Sequence, residues 1–245
     1  MAAIVGDRPI RVILLDIEGT TTPVEFVYEV LFPYARTHLR EFVQQQHETL
    51  ALEIRELRNE HGMDRQRGLD PPAWVDGSSD SSLPSVIAYV EWLMDRDRKS
   101  TALKSLQGKI WEEGYRSGEL RSQVYPDVPV AFARWSRQQR DICIFSSGSI
   151  LAQRLLFAHT FAGDLTCFIR DYFDTTVGAK TLEESYRGIA SALQVPTSGM
   201  VFVSDTIKEL EAAQFAGMKT FLCVRSARGE LAAGQPIVHT FDEIS

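Results

Sequence analysis

The chain has 245 residues, 44% of them hydrophobic and 24% charged, which suits a globular protein with one large domain or a core carrying an insertion. Its net charge is −7 with no long basic block, which argues against nucleic acid or an anionic membrane as the main partner and leaves open a small anionic substrate. No apolar run is long enough to span a bilayer, and the opening MAAIVGDRPI lacks the basic start and apolar centre of a signal peptide, so the chain reads as cytoplasmic.

Residues 10–16, IRVILLD, form the first β-rich apolar run. It ends in Asp16, with Glu18 two residues on and the turn sequence GTTTP behind it. A buried strand avoids charge unless the charge is paired, bound to metal or used chemically. A bare pair of acids at this spacing is more often a turn with exposed carboxylates or a metal-binding pair. The apolar strand before it and the Gly-Thr turn after it favour chemistry. In an extended segment Glu18 points to the same side as Asp16, so one carboxylate is placed to attack phosphorus and the other to move protons.

Residues 24–123 carry helical periodicity and no clear strand. ARTHLREFVQQQHETLALEIRELRNEHG predicts one or two charged helices ending at Gly62. RGLDPPAWVDGSSDSSLPS reads as a loop. Val86, Val90, Leu93 and Met94 mark a helix entered through Ser82 and Pro84, and Leu103, Leu106 and Ile110 mark another. The chain therefore divides into a discontinuous α/β core, 1–23 with 124–245, and a helical insertion, 24–123. Hinges are expected near Pro23 and Tyr125.

Three further apolar runs follow: ICIFS at 142–146, MVFVS at 200–204 and TFLCV at 220–224. Helix-compatible stretches at 149–158, 181–193 and 206–216 lie among them. Strand alternating with helix predicts a doubly wound parallel sheet, in which ligands bind at the carboxyl ends of strands. Ser146, Ser147, Gly148 and Ser149 follow the second run. They suit either a phosphate-binding turn or plain capping of the next helix. Lys180, in FDTTVGAK, is placed to neutralise phosphate, though a lone lysine is more often a surface residue. Ser204 and Asp205 close the third run, with Glu209 one helical turn on. Asp205 suits Mg²⁺, which prefers oxygen ligands; Glu209 is placed to hold a metal-bound water or to orient the lysine. The alternative is an ordinary N-cap with a first-turn glutamate.

Cys143, Cys167 and Cys223 make an odd count with no CxxC pair, and all three read as packed, reduced thiols. The five histidines show no HExxH spacing, and neither a GxxxxGK[ST] loop nor a GxSxG elbow occurs.

The ordered set of Asp16-x-Glu18-Gly19-Thr20, a serine at a strand end, Lys180 and Ser204-Asp205 resembles the haloacid dehalogenase-like (HAD) phosphohydrolase superfamily. The longer matches VILLDIEGTTTPVEFV, LFPYA, FSSGS, FDTTVGAK and ESY are similar to the enolase-phosphatases of methionine salvage, in which glutamate is the second acid. The resemblance covers nearly the whole chain. It implies a HAD-like Rossmannoid core with an inserted helical cap. It also implies Mg²⁺-dependent enolisation and dephosphorylation of 2,3-diketo-5-methylthiopentyl-1-phosphate to an acireductone, through an aspartyl-phosphate on Asp16. By motif, Asp16, Glu18 and Lys180 carry over as catalytic residues, and Ser146, Ser147 and Lys180 as substrate contacts. Asp16, Glu18 and Asp205 carry over as the site of one Mg²⁺ per chain, with Glu18 able to contribute its backbone carbonyl. The chain is read as a monomer whose partner is a small phosphorylated metabolite. The enolising base stays open between Glu18 and the cap. Two rivals are another HAD phosphatase and a phospho-acceptor signalling domain; the latter is shorter and lacks the insertion.

Overall fold

A computed structural model describes residues 10–77, 79–225 and 234–245, for 79–81 the backbone only. The predicted opening segment 1–9 and position 78 of the Ser-rich loop lie outside the described residues. The chain forms two compact units, Met1–Val27 with Arg121–Ser245, and Tyr28–Leu120. The division falls at 27/28 and 120/121, a few residues inside the expected 23/24 and 123/124.

In chain order, β1 (Val12–Leu15) is wholly buried, and a π-helical stretch, Phe26–Leu31, leads to the helices of the second unit. These are α1 (Phe32–Gln46), α2 (Ala51–Gln66), α3 (Ser79–Met94) and α4 (Thr101–Ser117). Helices α1 and α2 each pack against both α3 and α4, around Leu39, Val43, Leu57, Val86, Val90, Leu93 and Leu106. The predicted stop at Gly62 is corrected: α2 runs to Gln66. A glycine inside a helix costs only about 1 kcal/mol, and the turn falls at Gly68, whose φ is +71°. The predicted entry to α3 is corrected too. The helix starts at Ser79, three residues before Ser82, and holds Pro84 at its sixth position, where one backbone hydrogen bond is forgone. The last seven residues of the predicted loop, 79–85, are thus helical. Ser100 caps α4 by accepting the Leu103 N–H at 3.1 Å, and Gly118 at φ +82° ends it.

The first unit continues with α5 (Asp127–Arg137), β2 (Asp141–Phe145), α6 (Ile150–Ala158), β3 (Ile169–Phe173) and α7 (Glu183–Leu193). It closes with β4 (Met200–Ser204), α8 (Ile207–Phe215), β5 (Lys219–Cys223) and β6 (Ile237–Val238). Among the described residues the six strands lie in the order β3-β2-β1-β4-β5-β6, all parallel. Alternation along β1 serves both faces. Ile13 and Leu15 pack with Val128, Phe132 and Trp135 of α5 and Leu156 and Phe157 of α6. Val12 and Leu14 pack with Tyr186, Ile189 and Leu193 of α7 and Leu210 and Ala213 of α8. This is the doubly wound α/β sandwich. Strand order reverses between β1 and β4, which makes their carboxyl ends the switch point where such sheets bind ligands.

Candidate active site

The register pairs Leu15 with both Ile144 and Val203, so the residues just beyond these strands meet around Asp16. Asp16 keeps the sheet hydrogen bond, its N–H donating to the Val203 carbonyl at 3.0 Å, while its carboxylate passes the sheet's edge and stays only 3% exposed. Oδ1 accepts from Lys180 Nζ at 2.6 Å and from the Ile17 N–H at 2.8 Å. Among the described residues Oδ2 has one hydrogen-bond partner, the Ser204 hydroxyl at 3.2 Å.

The turn after Asp16 is tight. The N–H groups of Thr20, Thr21 and Thr22 all donate to the Ile17 carbonyl at 2.9–3.2 Å, and the Gly19 N–H donates to the Thr22 carbonyl at 2.9 Å. Gly19 has φ +69°, and a Cβ on it would stand 2.1 Å from Asp205 Oδ2. Only glycine lets the turn backbone lie directly against the Asp205 carboxylate.

Lys180 is brought in from the loop between β3 and α7. Tyr186 donates its buried hydroxyl to the Lys180 carbonyl and Ser185 donates to the Ala179 carbonyl, both at 2.7 Å. Gly178, at φ +128°, leaves no room for a Cβ beside Ser185 Oγ. The ammonium is 8% exposed and bridges Asp16 and Glu209 at 2.6 Å each. Burial alone would lower the lysine's pKa; Asp16 and Glu209 outweigh it and hold the group above its ordinary value.

Glu209, on the first turn of α8, also contacts the Ser204 hydroxyl at 3.1 Å. Burial, then repulsion from Asp16, raises its carboxyl to about 7. Glu18 is raised to about 7 for the same two reasons in the same order. Asp205 is raised by burial and by Asp16. Four acids thus face one lysine. A divalent cation fits such a set, because every donor is oxygen and the negative charge is in surplus. Among the described residues no three His, Cys, Asp or Glu side chains converge as a metal cage, so a cation here would draw on backbone oxygen as well.

Ser146 follows β2 and is buried. Its hydroxyl reaches Glu18 Oε2 at 3.5 Å and accepts the Gly148 N–H at 3.1 Å. Ser147 is exposed on the same turn. Ser149, as the capping alternative predicts, accepts the Ala152 N–H and caps α6. Asp16, Lys180, Ser204 and Glu209 are therefore joined by direct contacts, Ser146 reaches Glu18 beside them, and Asp205 lies against the turn of Gly19. Tyr186, which anchors the lysine's backbone, was not singled out from sequence; its helical spacing marks it only as core. The cysteines need one correction. Cys143 and Cys223 are buried, with thiols pushed up to about 12 by burial, whereas Cys167 is exposed on a short 3-10 turn.

Residues 10–217 match the haloacid dehalogenase-like hydrolase family. A relative in Synechococcus elongatus, named enolase-phosphatase E1, is 45% identical over 96% of this chain and 98% of its own. Another of that name, from Cronobacter sakazakii, is 44% identical over 96% of each chain. Among solved structures, the UTR4 protein of Saccharomyces cerevisiae superposes with a TM-score of 0.77 at 30% identity, covering 95% of this chain and 99% of that one.

Proposed function

This chain belongs to the haloacid dehalogenase-like hydrolases, within the enolase-phosphatases, and from that premise we propose that it enolises and dephosphorylates 2,3-diketo-5-methylthiopentyl-1-phosphate in methionine salvage. The observation that carries the reading is the Asp16 carboxylate, buried at the switch point with one oxygen clamped by Lys180 and the other nearly free.

Asp16 Oδ2 attacks phosphorus, and an aspartyl-phosphate forms as the bond from phosphorus to the substrate's oxygen breaks. Lys180 stays charged throughout, so it offsets negative charge on the phosphoryl group and keeps Oδ1 in place. Glu18 is the acid with the loosest tie to another side chain, a 3.5 Å contact to Ser146, and its raised pKa gives it both protonated and ionised forms near neutral pH. It gives a proton to the leaving oxygen, then takes one from the water that hydrolyses the acyl phosphate. Glu209 is pinned by Lys180 and Ser204 and holds the lysine's position. Ser146 and Ser147 lie on a turn that offers hydroxyls to phosphate oxygens.

Enolisation removes a proton from the carbon that bears the phosphate. Glu18 is the base for this step too, since the other acids are held or turned to the turn backbone. Asp16, Asp205 and the Glu18 carbonyl would hold one Mg²⁺ per chain. When bound, that ion supplies charge neutralisation at the phosphoryl group and the ketone oxygen. Residues 24–123 act as a cap that excludes water during chemistry, and the enzyme works as a monomer. Among the described residues, no helix is long and apolar enough to cross a membrane, which fits a small soluble metabolite as substrate.

The test mixes the pure protein with Mg²⁺ and the diketo phosphate and follows enol absorbance and phosphate together. The enol should appear first, with phosphate following it. Phosphate without an enol phase, or turnover confined to other phosphomonoesters, refutes the substrate assignment.

A further inference from the structure

Arg225 follows β5, and its side chain is only 6% exposed. A buried guanidinium needs its donors filled, and here the acceptors lie on three separate stretches of chain. Nε and Nη2 both donate to the Thr20 carbonyl, at 2.9 and 2.7 Å. Nη1 donates to Asp127 Oδ2 at 2.7 Å and to the His239 carbonyl at 3.2 Å. The plane is held between the Tyr125 and Phe241 rings, 4.4 and 4.5 Å from their centroids. Asp127 is fixed in turn, accepting the Phe241 N–H at 2.6 Å. The Tyr125 N–H donates to the Thr21 carbonyl at 3.0 Å, so the same cluster grips the turn at two successive carbonyls.

Thr20 and Thr21 belong to the turn that sets where Glu18 and Gly19 stand, and Gly19 lies against the Asp205 carboxylate. A shift of that turn changes the separation of Glu18 and Asp205 from Asp16, and displacements near 1 Å cost catalysis about 10²-fold. We propose that Arg225 is a positioning residue for the reaction: its two-pronged grip on the Thr20 carbonyl, backed by Asp127, holds the Glu18–Thr22 turn at its working distance from Asp16 and Asp205. The proposal rests on the reading of Asp16, Glu18 and Asp205 as the reaction centre. It adds a residue that touches none of these three acids.

Arg225→Lys keeps the cation beside Asp127 and between the rings but replaces the fork with one ammonium. In the full-length chain, hydrogen exchange at the amides of residues 19–22 should quicken by about tenfold or more, while β1, β4 and α7 keep wild-type protection. With the diketo phosphate and Mg²⁺, kcat should fall by about tenfold or more with KM little changed, the signature of lost alignment. Wild-type exchange in the turn, or faster exchange with wild-type kcat, overturns the proposal, as does loss of protection spread evenly over the sheet. Should Arg225→Lys not fold, Asp127→Asn takes its place. It leaves the fork and loosens its backing, so smaller shifts of the same two readings are expected and wild-type values for both refute the role. A wild-type protein that leaves the diketo phosphate untouched refutes the substrate reading, and exchange in the turn still decides on Arg225.

Discussion

Glu53 in the helical unit is buried, and Glu18 in the α/β unit is half-buried, yet their carboxyls move in opposite directions. Burial alone would raise Glu53, but Lys109 at 2.6 Å and the Ser105 hydroxyl at 2.8 Å pull it below the usual carboxylate value. Glu18 has no such cation at contact and rises to about 7. The contrast holds for the neighbours. Asp64, wholly buried in the helical unit, accepts from the Tyr89 hydroxyl at 2.8 Å and from Arg98 at 2.9 Å. Around the strand ends, among the described residues, Asp16, Glu18, Asp205 and Glu209 share Lys180 as their cation. Buried acids with a cation in direct contact are fasteners. Buried acids in surplus are kept at a cost to the fold, and such clusters gather at sites of chemistry.

The comparison makes opposite forecasts for acid-removing substitutions. Asp16→Asn should cut phosphate release by on the order of 10⁴-fold or more, because an amide forms no acyl phosphate. The same change should leave Tm at or above wild type, since it relieves a surplus; a large fall in Tm would class Asp16 with the fasteners. Glu18→Gln comes next. Loss of its proton transfers should slow dephosphorylation by about 10²–10⁴-fold. Rapid-scan absorbance shows whether the enol phase vanishes with it, as one shared base requires. An enol phosphate that accumulates instead moves the enolising base to another residue.

Asp64→Ala should do the reverse of Asp16→Asn. It strands the Tyr89 hydroxyl and one Arg98 donor, at a cost of about 2–4 kcal/mol, discounted because Arg98 still reaches water. Calorimetry should show a fall in Tm of roughly 5–10 °C. The rate per folded molecule should stay near wild type. A stable but inactive variant would give the helical unit's acid a chemical role. The smallest effect concerns the metal. Free Mg²⁺ at ten to a hundred times its Kd should stabilise the wild-type fold by roughly 1–3 kcal/mol, and Asp205→Ala should lose most of that gain. An undiminished Tm shift in the variant removes Asp205 from the metal site, and full turnover in excess chelator removes the metal altogether.

The sheet's centre was legible because β1, β2, β4 and β5 are nearly continuous apolar runs, as strands covered on both faces must be. Strand β3 was not. It is the sheet's outer strand, and its IRDYF carries an exposed Arg170 and a half-buried Asp171, so no apolar run announces it. Strand β6, two residues on the other edge, is too short to register. Helix α5 hides behind Pro129, which the first turn of a helix tolerates. Asp16, Glu18, Lys180 and Asp205 stand out as candidates because each lies at a strand end or in a turn with a recognisable pattern. Arg225 does not. Its partner is a main-chain carbonyl 205 positions away, and a carbonyl carries no side-chain signature. Tyr186 was hidden for the same reason, its hydroxyl serving the Lys180 backbone.

The central claim is that the surplus of acid at the strand ends serves one nucleophile, Asp16. It is tested most directly by quenching the enzyme in acid during turnover of the diketo phosphate with Mg²⁺ and mapping its peptides by mass. One phosphoryl group should appear on the peptide containing Asp16, be released by mild base as an acyl phosphate is, and be missing in Asp16→Asn. A phosphoryl group on any other residue, or turnover by the Asp16→Asn protein at the wild-type rate, would contradict the account.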